Sequence, residues 1–482
     1  MKKLNFIIKY GLALLLLSFY SCESWLNVTP SDRLSEEMLF NDREGFVKAL
    51  NGVYIELNTN ELYGRNLTAG ALDVMGQYYS VASSSHAFYN YGGLVYTGND
   101  EKALFDNMWQ KCYAVIACCN TIIEKCDENK AGLSPVWKGS IKGEALALRA
   151  MLHFDMLRLF GPLTSELDKE SIPYQTNSDQ TVTPLLSGSE VIGLILDDLK
   201  NAVGLLKDTD PYFVEEEFSD TDLNYRRFRM NYFAAKGLMA RVQLWGGDKE
   251  KAAATAKEVI AEGQAEGAEF FPFVTNSEAT SSNPDRVFYS EVLFGTYHSS
   301  REKLHEDLFA PTLESTSILT LAGTARRDDL YDNENDYRYS VWSTYNKNGT
   351  SVLYHRKFEK QDNVTASRQY MIPLISEMYL IAVECCKLGE ASVYLNTFRN
   401  ARNCNSLALT EDNRINILAN EYKKEMLGEG QLFFFYKRQE MVNIPDGNQA
   451  TGTKNVELTK YVVPLPESET DQRISSTDIS NE

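Results

Sequence analysis

Several elements that would announce a chemistry are missing from this chain. Its five histidines (His86, His153, His298, His305 and His355) form no H-E-x-x-H pair, and no G-x-S-x-G, Walker or G-x-G-x-x-G element occurs. Zinc peptidase, serine hydrolase and nucleotide-loop chemistries therefore lack their usual residues. Cysteines are present but unpaired in pattern: of eight, seven come after Cys22, an odd number with no C-x-x-C, which argues against a disulfide framework or a zinc ribbon. Basic charge is also scarce. With 48 Lys+Arg against 67 Asp+Glu the net charge is -19, the wrong sign for a DNA- or RNA-binding protein. Beyond the first residues no stretch reaches the ~18 consecutive apolar residues of a membrane-spanning helix.

The N-terminus does carry a signal. Lys2, Lys3 and Lys9 flank an apolar run from Tyr10 to Tyr20 that ends at Ser21-Cys22. A basic start, a short apolar run and a small residue before a cysteine describe a lipoprotein signal peptide over residues 1–21, with Cys22 as the lipid-bearing residue. Phe19 and Tyr20 are bulkier than usual at such a site, so an ordinary signal peptide fits the same run. The first 21 residues hold three lysines and no acid, and without them the net charge moves from -19 to -22.

The remainder of the chain reads as mostly helical. Trp109, Tyr113, Ile116, Asn120 and Ile123 recur at steps of four and three and share one helix face. Ala145 to Phe160 forms a helix that stops at Gly161-Pro162. Cys118/Cys119 and Cys385/Cys386 fall in apolar helical patterns, as buried thiols do, and His153 falls on the Ala145–Phe160 helix as a packing residue. Further amphipathic stretches run near 43–58, 188–206, 228–245, 249–263, 374–388 and 415–428. Ala234, Leu238 and Val242, then Gly246-Gly247-Asp248, then Ala252, Ala256 and Ile260 read as a helical hairpin with small residues at its seam. Tyr379 to Arg399 repeats the idea around Leu388-Gly389-Glu390-Ala391. Such hairpins stack to bury their apolar faces, which predicts a tetratricopeptide-like scaffold. Two tyrosine-, asparagine- and serine-rich stretches, 61–100 and 265–370, interrupt it and read as long ordered loops.

Taken in order, these blocks resemble the SusD/RagB family over nearly the whole chain. The likeness runs from Cys22 with Trp25-Leu26 and Pro30-Ser31-Asp32, through Ala49-Leu50-Asn51-Gly52-Val53-Tyr54 and the Trp109 to Asn120 face. It continues with Gly143-Glu144-Ala145, Leu148-Arg149-Ala150 and Arg158-Leu159-Phe160-Gly161-Pro162, the most specific block, and the Ala234–Ala252 hairpin. Glu377-Met378-Tyr379-Leu380, Leu395-Asn396, Arg399, Lys424-Glu425, Glu429-Gly430, Lys437-Arg438, Val463-Pro464-Leu465-Pro466 and Glu469 complete it. Ile375, Ser376 and Tyr422 stand where the family often has arginine, which puts particular helix-to-helix ion pairs in doubt.

The resemblance implies one helical domain over residues 22–482, with an N-terminal part to about 225 and a C-terminal part from about 226. It also implies a lipid anchor in the outer membrane and a SusC-like TonB-dependent transporter as partner. The implied ligand is a glycan, or in RagB-like branches a peptide, with no catalysis. A structural surface lipoprotein is the remaining class.

Sugar rings stack C–H faces on aromatic side chains while their hydroxyls need polar neighbours, and tyrosine offers both. On that ground Asp73, Gln77, Tyr78, Tyr79, Tyr89 and Tyr91 are candidate ligand residues, with Tyr297 and Trp342 as an opposite wall. No catalytic residue is assigned, because acidic pairs are too abundant to single one out. No cofactor is expected. Asp332, Glu334 and Asp336 alternate like the start of a calcium loop, but without glycine at its sixth position.

Overall fold

The computed structural model describes residues 36–179, 182–267, 269–298, 301–331, 333–360, 369–371 and 375–479, with backbone alone at 369–371 and 474–479. The signal segment, Cys22 and Asp332 lie outside the described residues.

The architecture is mostly α-helical, as the periodicity predicts. Helix α1 (Arg43–Leu57) starts where Asp42 accepts a hydrogen bond from Gly45 N at 2.8 Å and buries Phe46, Leu50, Val53, Tyr54 and Leu57. It packs on α2 (Asn99–Glu128) and α3 (Pro135–Phe160). Next come α4 (Gly188–Thr209), opened by a Ser187/Glu190 capping box, then α5 (Tyr232–Trp245) and α6 (Lys249–Gly263). The later scaffold is α7 (Ile375–Cys385), α8 (Leu388–Ala401), α9 (Arg414–Glu425) and α10 (Gln431–Arg438). From α2 to α8 each helix packs on the next, the stacked-hairpin plan, while α9 folds back onto α7 and α10 onto α9. One contiguous apolar core runs from Phe40 to Val463.

Two boundaries differ from expectation. Helix α3 begins at Pro135, well before Ala145, because Ser134 caps Trp137 N (3.3 Å) and proline suits the first helical position. The late hairpin breaks at Cys386-Lys387, and Leu388 to Ala391 is the first turn of α8. Gly389 sits where helical N–H groups are unpaired anyway, so it stops nothing. Helix packing explains Gly143: a Cβ there would stand 2.8 Å from Leu206 Cγ on α4.

Four two-stranded antiparallel ladders occur among the described residues. They are β1 (Glu170–Pro173) with β2 (Leu185–Ser187), β3 (Gly295–Tyr297) with β6 (Gln369–Met371), β4 (Trp342–Lys347) with β5 (Thr350–His355), and β7 (Asn443–Pro445) with β8 (Thr453–Asn455). The β4–β5 turn is Asn348-Gly349, both residues at positive φ (53° and 87°), the backbone that two-residue hairpins favour.

Charges inside the scaffold are paired across elements. Arg149 on α3 forks onto Asp198 of α4 with two bonds of 2.7 Å, and Tyr174 donates to the same carboxylate at 2.5 Å. Arg226 spans Asp210 and Glu144, and Tyr54 donates to Glu144 at 2.6 Å. Arg402 bridges Glu291 (2.6 and 2.8 Å) and Glu425 (2.6 and 3.1 Å). The arginines missing at Ile375, Ser376 and Tyr422 leave no gap at Glu421, which receives Arg399, Arg338 and Lys424. Tyr422 instead stacks on Phe435, ring centroids 4.5 Å apart.

Candidate functional site

Six of the eight side chains singled out from sequence point inward. Asp73, in the short helix Ala71–Met75, accepts from Gly428 N (2.6 Å), Gly430 N (2.8 Å) and the Tyr79 hydroxyl (3.1 Å), tying the first loop to the turn before α10. Burial pushes its carboxyl up to about 7 while those donors pull the other way. Gln77, at φ 65°, donates to Met75 O and Gly92 O, both at 3.1 Å. Tyr78 donates to Tyr422 O (3.3 Å) and Tyr91 lies between Phe88 and Phe105. Tyr79 packs on Phe309 (5.8 Å), Phe309 on His355 (5.1 Å) and His355 on Trp342 (5.1 Å). Tyr79 and Trp342, expected as facing walls of a cleft, are thus two ends of one internal aromatic chain. All six are 5 % exposed or less, so as placed they are packing residues. The physical reason is that a tyrosine ring is a large apolar body, and a loop that must cover a helical core uses it for that purpose.

The two loops nevertheless meet, and their meeting place is the candidate site. Ser80 N donates to Thr320 O (2.8 Å), Ala87 N to Thr316 O (3.2 Å), and the Thr320 hydroxyl to Leu353 O (2.6 Å) on β5. His86 is the internal pin: its Nδ1 accepts from Phe88 N (3.1 Å), which leaves Nε2 to donate to Ile318 O (3.2 Å). Burial lowers its pKa, in keeping with a neutral ring. On the other side Lys347 donates to Thr312 O (3.1 Å), Leu313 O (2.9 Å) and Glu314 (3.2 Å), fastening the β4–β5 hairpin to the same strip. The strip 312–320 is therefore flanked by segment 80–89 and by the hairpin.

Two tyrosines stand out from this junction. Tyr89 is 44 % exposed beside the exposed Ser83, Ser84 and Ser85. Tyr345, opposite Val352 on the hairpin and on the same strand face as Ser343 and Lys347, is 43 % exposed. Half-exposed rings held by a fixed backbone among hydroxyls and amides can stack on a sugar and hydrogen-bond its rim. Tyr345 was not singled out from sequence, although Asn348-Gly349 between Thr344-Tyr345 and Val352-Tyr354 is a hairpin signal that places it near an exposed tip. Tyr297, also half-exposed, lies elsewhere, at the end of β3, where Asn58 Nδ2 donates to its carbonyl (3.0 Å).

A cleft of about 510 Å³ opens between the start of α2 and residues 463–467. Its rings are Phe105, which is buried, and Tyr96, which is half-buried with its hydroxyl donating to Lys460 O (2.7 Å), and Lys102 and Glu467 pair across it at 2.6 Å. The acidic run considered for calcium is divided. Asp336 is buried and committed to Arg338 (2.7 and 2.9 Å), while Glu334 faces solvent. Among the described residues no group of three His, Cys, Asp or Glu is arranged to hold a metal.

The structure is thus a stacked-hairpin helical scaffold on which two irregular loops meet and leave Tyr89 and Tyr345 half-exposed. A SusD-like family model, described as starch-binding associating with outer membrane, matches residues 24–244. SusD-like protein P2 of Formosa agariphila is 22% identical over 524 residues, covering 96% of this chain and 96% of its own. A crystal structure of a SusD superfamily protein from Bacteroides thetaiotaomicron aligns with TM-score 0.69 at 21% identity, over 89% of this chain and 98% of that one. A laminarin binding SusD-like protein aligns with TM-score 0.63 at 17% identity, over 88% and 97%. Over residues 24–244 the chain is similar to the SusD-like family, and its fold is similar to that of the SusD superfamily structures.

Proposed function

We propose that this chain is a glycan-capturing lipoprotein of the outer membrane, anchored through lipid on Cys22, that passes oligo- or polysaccharide to a SusC-like TonB-dependent transporter. It binds and does not cleave. The observation that carries the reading is the loop junction, where Tyr89 and Tyr345 stand half-exposed on the two segments that hydrogen-bond to the 312–320 strip. The family description as starch-binding and outer-membrane-associating, and the likeness to a laminarin-binding protein, supply the ligand class. The carboxylates buried beneath the junction serve structure: Asp73 holds the Gly428 and Gly430 amides, and Glu429 pairs with Lys357 at 2.7 Å.

Calorimetric titration against a panel of oligosaccharides and mixed peptides tests this. Saturable heat with a glycan is expected, and Tyr89→Ala with Tyr345→Ala together should weaken it about tenfold, or ~1.4 kcal/mol. Heat with peptides alone would replace the reading by a RagB-like peptide receptor, and no heat with either would leave a structural lipoprotein.

A further inference from the structure

A second aromatic surface is built from different elements. Residues 226–228 form a single tight turn whose three side chains diverge. Arg226 goes into the core to Asp210 and Glu144. The Arg227 guanidinium lies over the rings of Tyr289 (5.1 Å) and Phe271 (5.3 Å) and donates to Tyr289 O at 3.2 Å. Phe228, nearly buried, sits between Tyr225 (6.1 Å, planes 34° apart) and Tyr297 (5.4 Å, 86°). Phe228 thus backs two rings that stay 50 % and 40 % exposed.

The outer edge of α1 runs beside them. Asn51, Ile55 and Asn58 are spaced at four and three and share one face. Asn51 accepts from Arg229, and Asn58 donates to Tyr297 O (3.0 Å), so this edge is fastened at both ends, with Ile55 exposed between. The Arg229 guanidinium also caps the Tyr54 ring at 5.0 Å. The result is not a continuous apolar patch of the kind a protein partner covers. Exposed rings alternate with the Asn51 and Asn58 amides, and Arg229, which also pairs with Glu144 at 3.3 Å, holds this edge in place. Stacking faces of this kind beside fixed hydrogen-bonding groups match a neutral saccharide.

We propose that the face formed by Tyr225, Tyr297 and the Asn51–Ile55–Asn58 edge of α1 is a second carbohydrate-contact surface, separate from the loop junction, that holds another stretch of the same glycan chain. It rests on the glycan-capture reading and adds a second point of attachment. Two weak contacts on one polymer act as one stronger one, because engagement of the first makes the second intramolecular.

The test uses the full chain, with laminarin and starch in native affinity gels and short oligosaccharides of the same glucans in calorimetry. Tyr225→Ala with Tyr297→Ala should reduce polysaccharide retention at least threefold and lower the oligosaccharide stoichiometry from two to one. Tyr89→Ala with Tyr345→Ala should leave the other single site. The Tyr225→Phe/Tyr297→Phe chain keeps both rings and should retain most binding, which separates ring stacking from misfolding. If Tyr225→Ala/Tyr297→Ala binds like the unaltered chain while the junction variant has lost binding, the second surface falls and the glycan reading stands. If the unaltered chain binds no glucan in either assay, both fall.

Discussion

The repeat scaffold and the aromatic loops use the same kinds of residue under different rules. In α2 the rings of Trp109 and Tyr113 follow a helical period, and the period alone says that they face inward, where Trp109 packs on Phe160 at 5.0 Å. In segment 61–100 no period operates. Tyr79 and Tyr89 are ten residues apart in similar company, yet one is 1 % exposed and the other 44 %. Composition identifies a loop rich in tyrosine, but only the fold decides which rings the core takes. The comparison predicts that stability should be lost from scaffold and loop alike where a side chain is buried, and binding only where it is not.

The largest effect should come from the scaffold's buried charges. Arg402 bridges Glu291 and Glu425 and is fully buried with both. Arg402→Met leaves two carboxylates facing each other without their shared cation, and should cost about 3–5 kcal/mol in urea unfolding. A loss below ~1 kcal/mol would mean that Arg338 and its neighbours compensate. Tyr79→Ala in the loop should cost nearly as much, about 3–5 kcal/mol, since it empties one end of the Tyr79–Phe309–His355–Trp342 chain. If Tyr79→Ala instead left stability intact and weakened glycan binding, the loop's interior would be a ligand site and the division between packing and binding rings would be wrong.

A smaller effect separates the two regions by pH. His153, on α3, is fully buried with Nδ1 against Arg149 O (3.0 Å) and Nε2 accepting from Gln175 N (3.0 Å), and burial lowers its pKa to about 3. A histidine depressed in the folded state favours folding above its unfolded pKa near 6.5, and that contribution is lost as pH falls toward 3. Between pH 7.5 and 5 it should remove about 2 kcal/mol of stability. In His153→Gln that part of the acid sensitivity should vanish, whatever the variant's stability at neutral pH. His86 in the loop is lowered by the same cause but less enclosed, so His86→Gln should flatten the profile less. Equal flattening would show the loop to be as tightly sealed as the helices.

These contrasts also mark what could be read from the sequence. The stretches near 43–58, 188–206, 249–263 and 415–428 became α1, α4, α6 and α9 almost residue for residue, because a one-sided apolar stripe, a cap and a stop are local facts. The Arg149–Asp198 and Arg241–Glu377 pairs were not legible, since they join residues 49 and 136 positions apart. The site was illegible for the same reason. Whether Tyr91 faces Phe105 or a sugar depends on α2, and whether Trp342 is covered depends on Phe309 and His355, none of them sequence neighbours. Tyr225 gives no signal of its own because it stands in a short acidic and basic stretch, outside either tyrosine-rich loop.

The smallest effect on stability should come from the exposed rings. Tyr89 and Tyr345 each leave nearly half their surface to solvent, so Tyr89→Ala and Tyr345→Ala should each change unfolding free energy by no more than about 0.5 kcal/mol. Tyr89 is the more informative of the two, because its backbone N–H bonds to His86 O (3.0 Å) and survives the substitution, leaving the junction's path intact. A chain that unfolds like the original but binds glycan more weakly would show that the ring is kept for the ligand. A chain that loses more than ~1.5 kcal/mol would place Tyr89 with Tyr79 among the packing residues and move the binding surface to the hairpin or to the Tyr225–Tyr297 face.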